Sequence, residues 1–289
     1  MLVQIILTVV LVPMLCGMAI SALGAGSSIR PVALTAFLLP LTTALASVMI
    51  EGFPALPPVA AKQKLPVILT AAGLVFAFLA VAVKDRAGRS VVAAVTVLSL
   101  AAPAWWLGRN VLAANETKAI TLAVVLVIIA VELYLVSIRK SRTEQPASLS
   151  LPAAVLASVI ATAITALSGG YIGMGQMSGA VAAVVGGWIL VRFVAFLRGN
   201  DSAFSTSGMS AFAFVWTGAA MIMMTVLFAP AASTSALAFS VLPVAAFLLF
   251  RNASVGFERQ PRFLRPLISG ALMAAPAIVA IALAVIAQA

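Results

Sequence analysis

Histidine is missing from this chain altogether, cysteine occurs once, and Asp and Glu together number seven. Without His, the commonest general base and metal ligand is gone. A single thiol, Cys16, excludes an intrachain disulfide, a thiolate cluster and any Cys-based zinc site. Charged side chains of either sign make up only 8% of the 289 residues. Soluble domains carry about 25% charge, so a soluble globular protein and a disordered chain are both excluded. What is abundant is apolar, at 64%. The composition predicts an all-α, polytopic transmembrane helix bundle, with no cofactor or metal site expected.

The charge that is present is strongly one-sided, 17 Lys and Arg against 7 acids. In a soluble protein that excess would point to nucleic acid. Here the basic residues fall in short gaps between apolar runs, where they act as topology signals beside anionic headgroups. The expected partners are therefore the lipid bilayer, a small-molecule solute and other membrane proteins, and no nucleic acid.

A helix needs about 20 apolar residues to cross a bilayer. Ten segments qualify, at 3–23, 31–50, 66–83, 90–107, 119–138, 152–168, 173–197, 204–228, 231–250 and 266–287. Pro31, Pro66, Pro152 and Pro266 mark four of the starts, since a first-turn residue needs no N–H. The breaks after Ser168 and at Ala229-Pro230 carry the weakest signals. Met1-Leu2-Val3-Gln4 offers no positive region, and the residues before Cys16 are not small. The first segment is thus expected to stay as a helix rather than serve as a cleaved signal.

With ten spans, one face collects Arg30, Lys84, Arg86, Arg89, Arg139, Lys140, Arg142, Arg192, Arg198, Arg251, Arg259, Arg262 and Arg265. The other has Lys62, Lys64, Arg109 and Lys118. The first face is expected in the cytoplasm, with both termini outside and the chain in an inner membrane. Trp105 and Trp106 fit an interfacial belt.

The most polar stretch, residues 139–146, falls at the midpoint. It leaves one membrane domain over 1–289 with halves at 1–140 and 150–289. Five spans per half would insert in opposite senses, which allows the 5+5 inverted repeat of secondary transporters. Length and span count resemble those of the drug/metabolite exporter superfamily, whose members are ten-helix chains of about this size. Their termini, unlike those expected here, usually lie in the cytoplasm.

Intramembrane charge is the best pointer to function. Glu132 lies seven residues before Arg139, and Arg192 six before Arg198, so both sit about 9–10 Å from the basic face. Equal depth allows an ion pair between the fifth and seventh spans; alternatively Arg192 snorkels to the headgroups and Glu132 stays protonated or hydrogen-bonded. Thr43, Ser47 and Glu51 recur every four residues and share one helix face, a candidate polar path. Plain packing and backbone hydrogen bonding are the alternative. Behind Glu51, Gly52-Phe53-Pro54-Ala55-Leu56-Pro57-Pro58 forbids helix and is expected to fold over the surface as a stiff segment.

Glycines cluster from 169 to 179. Gly169/Gly173 and Gly175/Gly179 have GxxxG spacing, Gly170 and Gln176 lie among them, and Gly186-Gly187 follows. Such a run permits close helix crossing or a broken helix whose freed backbone binds a ligand. No Gly-Lys-Ser/Thr follows, so it is not a phosphate loop.

Two functions compete. One is a gradient-coupled transporter or exporter of a small solute, with Glu132 as first and Glu51 as second candidate coupling group. The other is a non-catalytic subunit or scaffold of a membrane complex. An enzyme is not expected, given so few groups able to do chemistry. A polar cavity at mid-membrane would favour the transporter, and a solid bundle the scaffold.

Overall fold

The structure, a computed structural model, describes residues 2–24, 29–82, 89–138, 150–206, 208–251 and 260–288. Among these residues the chain forms ten helical segments and no strand. The first, α1, runs from Leu2 through a π-helical stretch at Ile6–Leu11 to Val12–Leu23. The others are α2 (Ile29–Glu51), α3 (Ala61–Ala82), α4 (Arg89–Ala114), α5 (Glu116–Ile138), α6 (Leu151–Ser168), α7 (Ile172–Leu197), α8 (Gly208–Phe228), α9 (Thr234–Phe250) and α10 (Leu264–Ile286). Nine are long and apolar enough to cross a membrane, while α9 is a shorter apolar helix of 17 residues, about 25 Å at 1.5 Å per residue. The polar midpoint at 139–146 lies outside the described residues.

Local sequence explains the ends. Ser150 and Ser233 cap α6 and α9, their hydroxyls accepting from the Ala153 and Ala236 amides at 3.3 and 3.4 Å. Both weakly signalled breaks are real. After α6, Gly170 takes φ +79°, the Gly170 N–H donates to Leu167 O and the Tyr171 N–H donates to Ala166 O. That paired return closes the helix and reverses the chain in three residues. The same motif ends α7, where Gly199 has φ +103° and the Asn200 N–H reaches Ala195 O.

One start differs clearly from expectation: helix α3 begins at Ala61, so Pro66 lies inside it, whereas Pro31 and Pro266, as third residues of their helices, still fall in the first turn. The earlier start of α3 is set by Gln63, whose side-chain oxygen accepts from the Val59 and Ala60 amides at 3.0 and 3.2 Å. This satisfies first-turn donors that lack an intrahelical partner. In α1, Pro13 removes an N–H and crowds the preceding turn, and the π-helical stretch stands immediately before it.

The packing has a hub. α8 touches α2, α3, α4, α5, α6, α7 and α9, and those seven close a ring around it in the order α2, α3, α4, α5, α9, α6, α7. α1 lies outside the ring against α7 and α2, and α10 against α9 and α6. The hub helix is buried without interruption from Ser210 to Leu227. Lipid is as apolar as the helix, so association here rests on close packing rather than on escape from water. Edge-to-face aromatics supply it. Phe76 meets Phe212 at 5.0 Å and Trp216 at 5.2 Å, Trp188 meets Phe214 at 5.2 Å, and the Trp216 indole donates to Ser99 O at 3.0 Å. Each aromatic pair adds about 0.5–1.5 kcal/mol beyond area.

Candidate functional site

Glu132 sits on α5, six residues before its end, and is only 3% exposed. Its face of the helix turns toward α6, α8 and α9, where it borders a cavity with room for about one water molecule. The other polar side chain on that lining is Ser158 of α6, itself 3% exposed. Gly218 of α8 opens the space by contributing no side chain, and the rest is aliphatic, including Ile129, Val155, Val215 and Ile222. Glu132 Oε1 and Ser158 Oγ both lack a hydrogen-bond partner in the protein. The Ala245 backbone amide of α9 approaches the carboxyl group. Two buried orphan oxygens beside one small space make this the most chemically uneven point of the bundle.

The ion pair read from equal depth does not form. Arg192 points the other way, toward α1, where its Nη2 donates to Ser21 O at 2.9 Å and Gly24 O at 2.8 Å. Its guanidinium stacks over Trp188, 4.9 Å from the ring centre. The physical reason is azimuth. Glu132 faces α6, α8 and α9, Arg192 faces α1 on the rim, and α7 and α5 flank the hub separately. Arg192 instead caps the last carbonyls of α1, where a cation meets the negative end of the helix. Lys118 does the same for α8, donating from Nζ to Leu227 O at 3.0 Å and Ala229 O at 3.4 Å. So does Arg262 for α7, donating from Nε to Phe196 O at 2.8 Å while its Nη2 pairs with Asp201 at 2.6 Å.

Two motifs that stand far apart in sequence converge. Glu51 ends α2, and its Oε1 occupies the place where a side chain on Gly173 would be. Lys62 Nζ lies 3.6 Å from Glu51 Oε2, and the Tyr171 ring borders the same spot. A carboxylate thus rests on the first turn of α7, whose residue Tyr171 supplies no side-chain cap of its own. Burial first, and the Glu51 charge second, push the Tyr171 hydroxyl above the ordinary phenol value of 10.0. One turn below Glu51, Ser47 is 1% exposed with no partner for its Oγ. Ser178, six residues into α7, is equally orphaned and buried. Thr43 is buried but satisfied, donating to Leu39 O at 3.0 Å.

Those contacts give an expected titration. With Tyr134→Phe as background, Tyr171 is the one remaining tyrosine of the two. Glu51→Gln should then move the tyrosinate absorbance midpoint downward, because the neighbouring negative charge that opposes ionisation is gone. Burial should still hold the midpoint above that of a free phenol. An unchanged midpoint would mean that the Glu51 charge does not reach Tyr171.

The other glycines are used one by one. α7 runs unbroken from Ile172, so the interruption falls between α6 and α7 and not within a span. Gly169 lets the Ala232 backbone approach, its Cα 2.8 Å from where a side-chain carbon would stand, and the Ala231 N–H donates to Gly169 O at 3.1 Å. Gly175 faces the Leu167 side chain, and Gly179 faces Val9 in the π-helical part of α1. Gln176 is half-buried. The tightest crossing uses glycines outside the run. Gly17 of α1 meets the Val184 carbonyl, and Gly187 of α7 meets the Met14 carbonyl, each with no space for another carbon.

In the Pro-rich segment after Glu51 the two large apolar side chains are not packed down. Phe53 is 86% exposed and Leu56 79% exposed. Ser158, Gly218 and Ala245 carry no sequence signal of their own, being one small residue among many in apolar helices. Among the described residues no three His, Cys, Asp or Glu side chains come together as a metal would need. Compared with family models, curated proteins and solved structures, the chain matches none.

Proposed function

We propose that this integral membrane protein is a gradient-coupled secondary transporter of a small solute, seen with its central space closed, and that Glu132 is its coupling group. The observation that carries the reading is the unpaired carboxyl group at 3% exposure beside an orphan serine hydroxyl and a small cavity. A purely structural helix gains nothing from such a group, which is costly wherever it is not compensated. The converging Glu51, Lys62, Tyr171 and Gly173 would then form the opposite-end mouth of the route, with Ser47 and Ser178 below it. In this reading the basic end faces the cytoplasm of an inner-membrane protein, with both termini outside, and the charge bias of the loops supports that orientation. The reading includes no enzymatic step.

A transporter must open its centre to one side at a time. In a Cys16→Ser background, Ser158→Cys should react with a small polar thiol reagent added to sealed vesicles, from at least one side. Single cysteines at Phe53 and Ser202 in the same experiment should label from opposite sides, with Ser202 inside. A cysteine at 158 that stays unreactive in the folded protein, yet reacts fully when denatured, would overturn the transport reading.

One observation favours the scaffold reading instead. The interlocked rings of Phe76, Phe212 and Trp216 lock α3 tightly against the hub helix. The same cysteine decides between them, since a static scaffold keeps position 158 closed from both sides.

A further inference from the structure

We infer that the cavity between Glu132 and Ser158 holds one proton and one water molecule, the neutral Glu132 carboxyl donating to that water, and that it does not hold a metal cation. This deepens the transport reading by naming its ion, although the occupancy itself stands without transport.

The argument begins with charge. α6, α8 and α9, which supply the other walls, contain no Asp, Glu, Lys or Arg at all. α4, packed beside α5, carries its charges at Arg89, which opens the helix, and Arg109, near its far end. Arg192 is committed to the end of α1. Among the described residues that line the cavity, Glu132 is therefore the one ionisable side chain. An ionised carboxylate would have the Ala245 amide as its one protein donor, against the four or so sites such a group can fill. In a low-dielectric interior that shortfall favours the neutral acid strongly.

A neutral acid raises a second requirement, because its O–H is a donor that must find an acceptor. Ser158 Oγ faces the same space and lacks a partner too. The space fits about one water, and a buried water needs two to four polar partners. Set between the two side chains, it accepts from Glu132 and meets the Ser158 hydroxyl, and both orphans are satisfied. Hard cations take about six oxygen ligands. The side chains here offer Glu132's two and Ser158's one, and the rest of the lining is hydrocarbon and glycine. The donor set suits a proton and rejects a metal ion.

Infrared difference spectroscopy on the full chain in lipid nanodiscs tests this. At neutral pH the wild type minus Glu132→Gln spectrum should show a protonated-carboxyl band that shifts in heavy water. Ser158→Ala, which removes one of the water's partners, should move that band to higher frequency without abolishing it. Adding sodium ion should leave it unchanged. An ionised-carboxylate signature in place of that band, or its displacement by sodium, would overturn the inference. The result is separate from that of transport. A band present while cysteine 158 stays closed from both sides would leave the proton site standing and remove the transporter.

Discussion

Gly187→Ala should cost the protein about 2–3 kcal/mol of stability, a loss near the upper end for overpacking at a tight contact. The folded-to-unfolded ratio would fall roughly 30- to 150-fold, at about tenfold per 1.4 kcal/mol. An added carbon at 187 runs into the Met14 carbonyl, a backbone atom that cannot move unless α1 backs away from α7. The adjacent Gly186 has nothing within 4 Å of the same position. Gly186→Ala should therefore be neutral, or stabilising by about 0.5–1 kcal/mol through lower chain entropy. Reversible unfolding in mixed micelles would measure both. Gly17→Ala should resemble Gly187→Ala, because it collides with the Val184 carbonyl at the same crossing. The double variant should fall short of the sum, as one separation of the helices relieves both clashes. Equal effects at 186 and 187 would show that the crossing is not where the structure puts it.

Arg192→Gln has the second large expected effect, about 3 kcal/mol. It removes two hydrogen bonds from a charged donor, worth about 1.5–3 kcal/mol each at most, and a stacking contact with Trp188 worth about 0.5–2 kcal/mol. Gln recovers part of this with one neutral donor. Arg192→Lys should be intermediate, since a point charge cannot span two carbonyls and a ring as a planar fork does. Combined with Glu132→Gln, the losses should add within about 0.5 kcal/mol, as for sites that share no partner. A coupling above about 1 kcal/mol would mean that the two side chains meet after all.

That pair also marks the limit of what the sequence discloses. Spans and breaks are one-dimensional facts. Twenty apolar residues, or Gly169-Gly170 between two such runs, mean much the same in any surroundings. Depth is nearly as direct, and both Glu132 and Arg192 do lie near the basic end of their helices. Azimuth is not, because in lipid an outward face and an inward face are equally apolar and no periodicity separates them. Hence the stripe at Thr43, Ser47 and Glu51 and the glycine run that holds Gly173 are each legible, while the meeting of Glu51 with Gly173 is not. The prolines misplace the start of α3 for a related reason. Pro66 satisfies a helix-start rule, but Gln63 holds an earlier turn that no proline announces. The central place of α8 has no signature except its lack of any charge, a property it shares with α6 and α9.

The hub position of α8 bears on how the protein is made. Helices leave the ribosome in chain order, and the one on which seven others lean is the eighth of ten. Until it enters the bilayer, α2 to α7 have neighbours but no centre, and their inward faces must be filled by lipid or by a chaperone. α5 waits on more than the hub, because Glu132 meets one wall of its pocket with α6 and the others only with α8 and α9. During that interval the carboxyl group stands in an unfinished groove. Biogenesis of this protein is thus a matter of late keystone insertion, and chains stalled after α7 should be the species that quality control recognises.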